Sequence, residues 1–505
     1  MDLKKHKVLI SSVLAFCALV VSGYVIYQSL IPKVPVKSSL LIGVSILPAR
    51  LDPLRVEFFT RRITINIFEG LVSLDSSFRI RPALSSGWAQ DQEDDRIWRF
   101  HMRSGVTFHD GAELNAALVA DSLGKLLKDR PKEMSQFMDT IDRVSVDPDT
   151  ADTVVLHLKQ RDTLILRKMS FIPILHTAKA GQMPVGTGPY VVEDKTTDSR
   201  MVHLVRNQNY WGRSPYFRDL VFTWIPDKVE RLERIQDGSL DILLDAPPVV
   251  ENKATHIKTV DVPGLELLYM VYNQKKLGPE SPLNDPKTRA HISAFLDRGR
   301  FADIAEGLAA PALQFSVSAI ASLSNLAGAP QVMDSVLMQE YMKDKAMTIH
   351  LTVPQTLKKI AEELREQLKK VYVIVDIAVI DSEDTFEKGI TDGSYETYLV
   401  GWKFELGDLE PFFTDQVHSM KGYMGHYNGG AYTNPLVDTK IEELMNVSDG
   451  KVRRQIAQDI QNVITWDDPL GIPLIETRRR IMYQQSLYFE PRLDGLVLFF
   501  EVQSL

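Results

Sequence analysis

The chain has 505 residues, 44% hydrophobic and 25% charged, with a formal net charge of −8. That length exceeds what one hydrophobic core serves and points to two or three lobes. Residues 1–37 hold five Lys and one Asp, so the rest carries 53 basic and 65 acidic residues; such an acidic body excludes a nucleic-acid binder and a body lying flat on anionic lipid.

The first element is apolar. Val8 to Pro32 makes 25 positions without a charged side chain. As a helix rising about 1.5 Å per residue it spans a bilayer core of about 30 Å. No small-x-small cleavage motif ends the run, which reads as an uncleaved membrane anchor rather than a removed signal. Lys4, Lys5 and Lys7 precede it and Lys33 and Lys37 follow, which places the N-terminus in the cytoplasm. Cys17 is the single cysteine, so no intrachain disulfide forms; Phe16 before it and the apolar run after it argue against a lipoprotein site.

Residues 39–45, "SLLIGVS", read as a buried strand. Val56, Phe59, Ile63, Ile67 and Leu71 predict a helix through that segment. "FRIRPALSSGW" and "RIWRFHMRSGVTF" alternate as strands, and Asn115 caps a helix running to about Lys128. Residues 142–158 read as a hairpin turning at Asp147-Pro148-Asp149. "MVHLVRN" and "LVFTWIP" are strands. A helix follows, with Val229, Leu232 and Ile235 on one stripe and Gly238 at its end. Further on, 265–273 is a strand, helices are expected near 286–298, 355–370 and 451–466, and "VYVIVDIAVI" and "ETYLVGW" are strands. Strands alternating with helices indicate α/β lobes.

"LDPL", "NIFEGLVSLD", "WRFHMRSGVTFHDGAEL", "GTGPYVV", "RIQDGSLDI", "VGWKFELGD" and "AYTNPLVDTKIEELM" occur in an order that resembles the extracytoplasmic solute-binding proteins of peptide-type ABC transporters. The resemblance covers residues 40–497. It implies an α/β two-lobe periplasmic-binding-protein fold with a hinge and an extra subdomain, beyond the N-terminal membrane helix of 1–37. Lobe I is expected over 38–262 with a subdomain inserted at about 76–186, lobe II over 263–479, and a return to lobe I over 480–505. Each crossing between lobes acts as part of one hinge. The implied partners are a short peptide and an ABC permease in the membrane, and the body is a monomer facing the periplasm or exterior. A nickel chelate, haem or sugar ligand, or a sensory ectodomain without uptake, stand as alternatives.

In that family an aspartate four residues after the glycine of "GW" meets the peptide ammonium. Here Gly401-Trp402-Lys403-Phe404-Glu405 puts Glu405 there, one methylene longer, with Asp408 nearby as a substitute. Trp402 is expected to line the cleft. Phe58 and Phe59 fall in the ligand-facing segment after "LDP". Tyr269 and Tyr272, three apart on the presumed hinge strand, face opposite sides, and one of them is a ligand candidate. His109, Asp110 and Glu113 read as a strand-ending turn, not a metal site: Asp110-Gly111 is turn chemistry and adjacent strand residues diverge. Gly186 and Gly188 lack the following Lys-Ser/Thr of a phosphate loop. His418 and His426 make no metal set by themselves. No hydrolase signature, cofactor motif or metal motif is present, so the expected role is binding without chemistry.

Overall fold

Alternation around Tyr269 predicts a strand over 265–273; the structure starts that strand at Ile257 and carries it to Tyr272. The computed structural model describes residues 38–176, 184–193, 200–248, 254–323, 333–422 and 424–505. The expected anchor and Cys17 lie outside the described residues. Among the described residues no helix is long and apolar enough to cross a membrane.

Ile257–Tyr272 pairs antiparallel with Gly471–Gln484, and the register shifts between Pro263 and Leu267. Proline has no N–H for a ladder. Gly264 runs so close to the partner strand that a Cβ there would stand 2.6 Å from the Thr477 carbonyl oxygen. This pair forms the middle of an eleven-stranded sheet. Thr397–Lys403 joins it along residues 266–272 and is followed by Met347–Pro354 and Val373–Ile380. Ile242–Leu243 joins it at Met482 and Tyr483, and Ser39–Val44, Asp219–Trp224, Met201–Arg206 and Tyr190–Val192 follow. The two wings of the sheet therefore attach at opposite ends of the central pair.

Three large cores follow this division. One gathers Leu40, Ile63, Phe68, Phe222, Ile481 and Phe499. A second gathers Met270, Tyr272, Ile349, Leu364, Leu399 and Ile472. The third joins residues of 71–174, such as Phe100, Val119 and Leu156, to Leu267, Phe315, Phe412 and Leu470. Residues 71–174 include a four-stranded antiparallel sheet, Ser85–Gln90, Ile97–Met102, Thr153–Leu158 and Ile141–Val146 in that order, with the helix Ala116–Asp129 packed on it.

Local chemistry explains the elements that form where expected. The Asn115 side chain accepts the Leu118 N–H and caps Ala116–Asp129. Asp147 accepts the N–H groups of Asp149 and Thr150 and closes the hairpin. Two expectations need correction. The helix anticipated through Leu71 covers only Phe58–Thr64. Beyond it, the carbonyls of Asn66, Ile67 and Glu69 accept from Tyr190, Gly188 and Ile174, so they are not free to continue the helix. In Lys228–Gln236 the buried side is marked by Arg231 and Ile235, while Val229 is exposed. The segment near 286–298 forms as two helices, Pro286–Phe295 and Arg298–Ile304. Those anticipated at 355–370 and 451–466 form as Lys358–Leu368 and Gly450–Asn462, extended by a 3-10 turn and a π turn respectively.

The close approach at Gly188 generates a test. A Cβ there would stand 2.6 Å from the Ile67 carbonyl, whereas one at Gly124, within a helix, meets nothing within 4 Å. Gly188→Ala is expected to destabilise by about 1–3 kcal/mol, since backbone must move. Gly124→Ala should stabilise by about 0.5–1 kcal/mol. Thermal unfolding followed by circular dichroism checks both, and indistinguishable midpoints for the two variants would count against this packing.

Candidate functional site

Glu57 caps the helix Phe58–Thr64, its carboxylate accepting the Phe59 and Thr60 N–H groups. Successive helical residues project about 100° apart, so Arg61 and Arg62 cannot share an environment. Arg62 is fully buried and meets Asp245 at 2.7 Å; Asp245 also accepts the Ser45 N–H and hydroxyl. Arg61 turns the other way. Its guanidinium lies 3.8 Å over the Phe171 ring, and its polar contact is the Ser170 carbonyl at 3.5 Å. Burial brings its pKa down to about 10, against the opposing pull of Asp494 and Glu405 at longer range. It has no ion-pair partner among the described residues.

Arg61 lines a cavity of about 380 Å³, within the range of about 300–1,000 Å³ that ligand sites occupy. Phe171, Tyr210, Trp211 and Phe500 supply aromatic wall, with Glu69, Arg492 and Asp494 among the polar groups. Glu69 is engaged: it accepts from Thr187 Oγ1 at 2.8 Å and from Tyr210 OH and Trp211 Nε1 at 3.0 Å. Burial raises its pKa, against those three donors.

A second arginine, Arg479, lies 3.5 Å over the Phe58 ring, and Phe58 meets Phe59 edge-on at 5.8 Å. Burial lowers the Arg479 pKa, with Asp245 and Glu266 opposing from a distance. Arg479 also has no ion-pair partner among the described residues. Sequence reasoning picked out neither arginine. The adjacent pair Arg61-Arg62 carried the available signal, since on a helix only one of two neighbours can face a given partner.

The strand Thr397–Lys403 delivers Trp402, Lys403 and Glu405. Glu405 Oε1 accepts from Lys403 Nζ at 2.7 Å, and among the described residues Oε2 is held by Gln136 Nε2 alone, at 3.3 Å. Its side chain is 17% exposed. Trp402 meets Phe412 at 5.8 Å, and its buried Nε1 lacks a hydrogen-bond partner. Asp408 is held by Arg453 Nη2 at 3.3 Å. Glu410 meets the same atom at 3.0 Å and accepts from Thr163 at 2.8 Å. Arg167 donates to the Leu406 carbonyl at 2.9 Å, so residues 405–410 are stitched to 136–167.

The structure thus brings Phe58 beside Arg479 and Phe59 beside Arg62, whose guanidinium lies 5.0 Å over its ring, and puts Glu405 within electrostatic reach of Arg61. Tyr269 and Tyr272 do face opposite sides, and both are buried. Tyr269 packs on Phe315 and Phe412 and donates to Gln416, while Tyr272 belongs to the other core. His109 contacts the Gly188 carbonyl at 3.0 Å while Asp110 turns to His176 at 3.4 Å, a bridged turn with Gly111 at φ +88°. Among the described residues no group of three His, Cys, Asp or Glu is placed to hold a metal.

This mixed α/β architecture, centred on a strand pair shared by two wings, is that of the periplasmic binding proteins. The chain superposes on HbpA2 from Haemophilus parasuis with a TM-score of 0.79 at 18% identity, covering 92% of this chain and 100% of that one. On the periplasmic binding protein DppA from Helicobacter pylori, in complex with the peptide STSA, the TM-score is 0.72 at 21% identity, covering 92% and 98%. The glutathione-binding protein GsiB of Salmonella typhimurium is 23% identical over 461 residues, 84% of this chain and 86% of that protein. Residues 79–423 match the model of the bacterial extracellular solute-binding proteins, family 5. The chain belongs to that family, and membership places its body outside the cytoplasm.

The seam at Glu410 has a pH signature. Burial, opposed by Arg453, raises its pKa from 4.5 to about 7. Between those pH values the folded chain holds a proton that the unfolded chain has lost. The stability from this group is therefore full at low pH and declines as pH rises through the window. Relative to Glu410→Gln, the unaltered chain should be more favoured at pH 5 than at pH 8 by about 1–3 kcal/mol. Paired urea titrations at the two pH values measure this, and a difference independent of pH would contradict the assignment.

Proposed function

We propose that this chain is the capture component of an ABC importer and that it holds short peptides between the Phe58–Arg479 face and the Lys403–Glu405 face. The observation that carries the reading is the charge arrangement: on one face Glu405 has one weakly held oxygen, and on the other Arg479 lies over Phe58 with no ion-pair partner among the described residues. A short peptide presents an ammonium and a carboxylate, the complement of that arrangement. The relatives point the same way, since glutathione and STSA are both short zwitterionic peptides. On this reading residues 38–262 and 480–505 move against 263–479 about the two long strands, and the apolar run from Val8 tethers the body to the membrane. Uptake then needs a permease in that membrane; the chain itself carries no chemistry.

Glu405 is the residue that meets the peptide ammonium, with Oε2 as the acceptor. Removing one partner of a desolvated charged pair costs about 2–5 kcal/mol, or roughly 30-fold or more in affinity. An exposed pair contributes about 0–1 kcal/mol. Glu405→Gln keeps the shape and removes the charge, and N-acetylating the peptide removes the other charge. The two losses should not add, because each deletes the same interaction. Calorimetry on the four combinations of protein and a di- to pentapeptide decides it. Additive losses, or a loss below about sixfold, would place the ammonium elsewhere.

A further inference from the structure

The cavity beside Arg61 is not needed for the contacts just assigned to Phe58, Arg479 and Glu405, and its lining contains none of those three. We propose that it is a separate binding site for a carboxylate carried on an aromatic or similarly flat apolar body, with Arg61 as the anchoring residue.

The first support is the contrast between neighbours on one helix. Arg62 has Asp245 at 2.7 Å, and Arg61 has only a carbonyl at 3.5 Å. A guanidinium carries five N–H donors, so most of those on Arg61 are unspent. Burial brings its pKa down to about 10, with Asp494 and Glu405 opposing only from a distance. The second support is that neighbouring acids are committed elsewhere. Asp494 pairs with Arg492 at 2.6 Å, Asp75 with Arg79 and Arg81 at 2.8 and 2.9 Å, and Glu69 holds three neutral donors. Glu501 also borders the cavity and is exposed. None of these closes on Arg61, which is half-buried, so its remaining donors are open to a ligand anion.

The surroundings define the ligand class. Arg61 is stacked on Phe171, which fixes the plane of the fork and leaves its edge for a planar acceptor. Tyr210, Trp211 and Phe500 add apolar wall for a ring. Arg81 and Arg492 in the lining are already paired with Asp75 and Asp494, and Arg213 is exposed, so Arg61 offers one charge and suits a singly charged carboxylate. About 380 Å³ accommodates one such molecule.

The test uses the full chain with N-acetyl-L-phenylalanine and N-acetyl-L-phenylalaninamide, which differ in the carboxylate and carry no ammonium for Glu405. The acid is expected to bind the unaltered protein about tenfold or more tightly than the amide, as a charge-assisted contact implies. Arg61→Gln should bring the two within about twofold, and Arg61→Lys should restore part of the preference, because the charge returns without the fork. Ligand-observed NMR measures both affinities. The acid-against-amide comparison on the unaltered chain needs no variant, so a misfolded variant does not remove the test. Equal binding of acid and amide, no binding of the acid at millimolar concentration, or an acid preference that survives Arg61→Gln would each overturn the proposal. Because neither probe has an ammonium, these results stand whether or not peptides bind at Glu405.

Discussion

The ladder between Ile257–Tyr272 and Gly471–Gln484 is the constraint on which the rest of the structure depends. The strands Met347–Pro354, Val373–Ile380 and Thr397–Lys403 hang from the half that ends at Tyr272, Ala309–Pro311 pairs with residues 475–477, and most of the remaining sheet hangs from the end near Ile257. The helix bearing Phe58 and Arg61 packs with the core of the second group. Glu405 follows directly from a strand of the first. Their relative placement is therefore set by two strands and by the irregularity at Pro263–Leu267. A register shift loosens a ladder locally and bends it. Arg479 pairs with Val262 on one side of that shift, and Lys403 pairs with Glu266 within it. The charged residues of the site thus flank the place where the sheet is least regular.

Charge desolvation separates the structural ion pairs from the candidate binding groups. Arg62 is paired with Asp245, and Arg453 with Asp408 and Glu410; truncating one member of such a set leaves the other uncompensated. They hold the helix Phe58–Thr64 to its core and residues 408–410 to the helix Gly450–Asn462, with Thr163 bonded to both Arg453 and Glu410. Arg61 and Arg479 are half-buried and lie over rings, Phe171 and Phe58, rather than against carboxylates. A cation over an aromatic face recovers some of what it loses on leaving water, but less than an ion pair of good geometry. That deficit makes those two arginines responsive to an incoming anion, while Arg62 and Arg453 are not.

How much of this was legible in the sequence depended on range. The Asn115 cap and the Asp147 turn rest on a side chain bonding to backbone within a few residues, so they read directly. The helix after Glu57 was overextended because its end is set by Tyr190, Gly188 and Ile174, more than a hundred residues away. The start of the long strand was missed because Pro263-Gly264 carries turn chemistry, yet here it marks a shift within a ladder. Ordered motifs pointed to Glu405 and to the segment of Phe58 and Phe59. They could not show that Lys403 already holds one Glu405 oxygen, nor that Arg61 lacks an acid, since a missing partner is a property of the folded chain. Tyr269 and Tyr272 were correctly placed on opposite sides of a strand, but period two alone does not say which side is core.

The lysine beside Glu405 alters what that carboxylate can do. Lys403 Nζ at 2.7 Å neutralises it in place, so an arriving ammonium joins the pair rather than completing it. On the peptide reading, Lys403, Arg61 and Arg479 then outnumber Glu405 and the nearby Glu266. The excess is positive, although the body as a whole is acidic. A short peptide with an additional carboxylate balances that excess more fully than a neutral dipeptide does. Coulombic attraction between unit charges about 4 Å apart is only about 1 kcal/mol in water and several times that near a protein surface. The balance therefore matters most once water is excluded. On the peptide reading, discrimination by ligand charge and closure about the Pro263–Leu267 irregularity belong to one event, because bringing the two faces together would exclude the water that weakens the arginine charges.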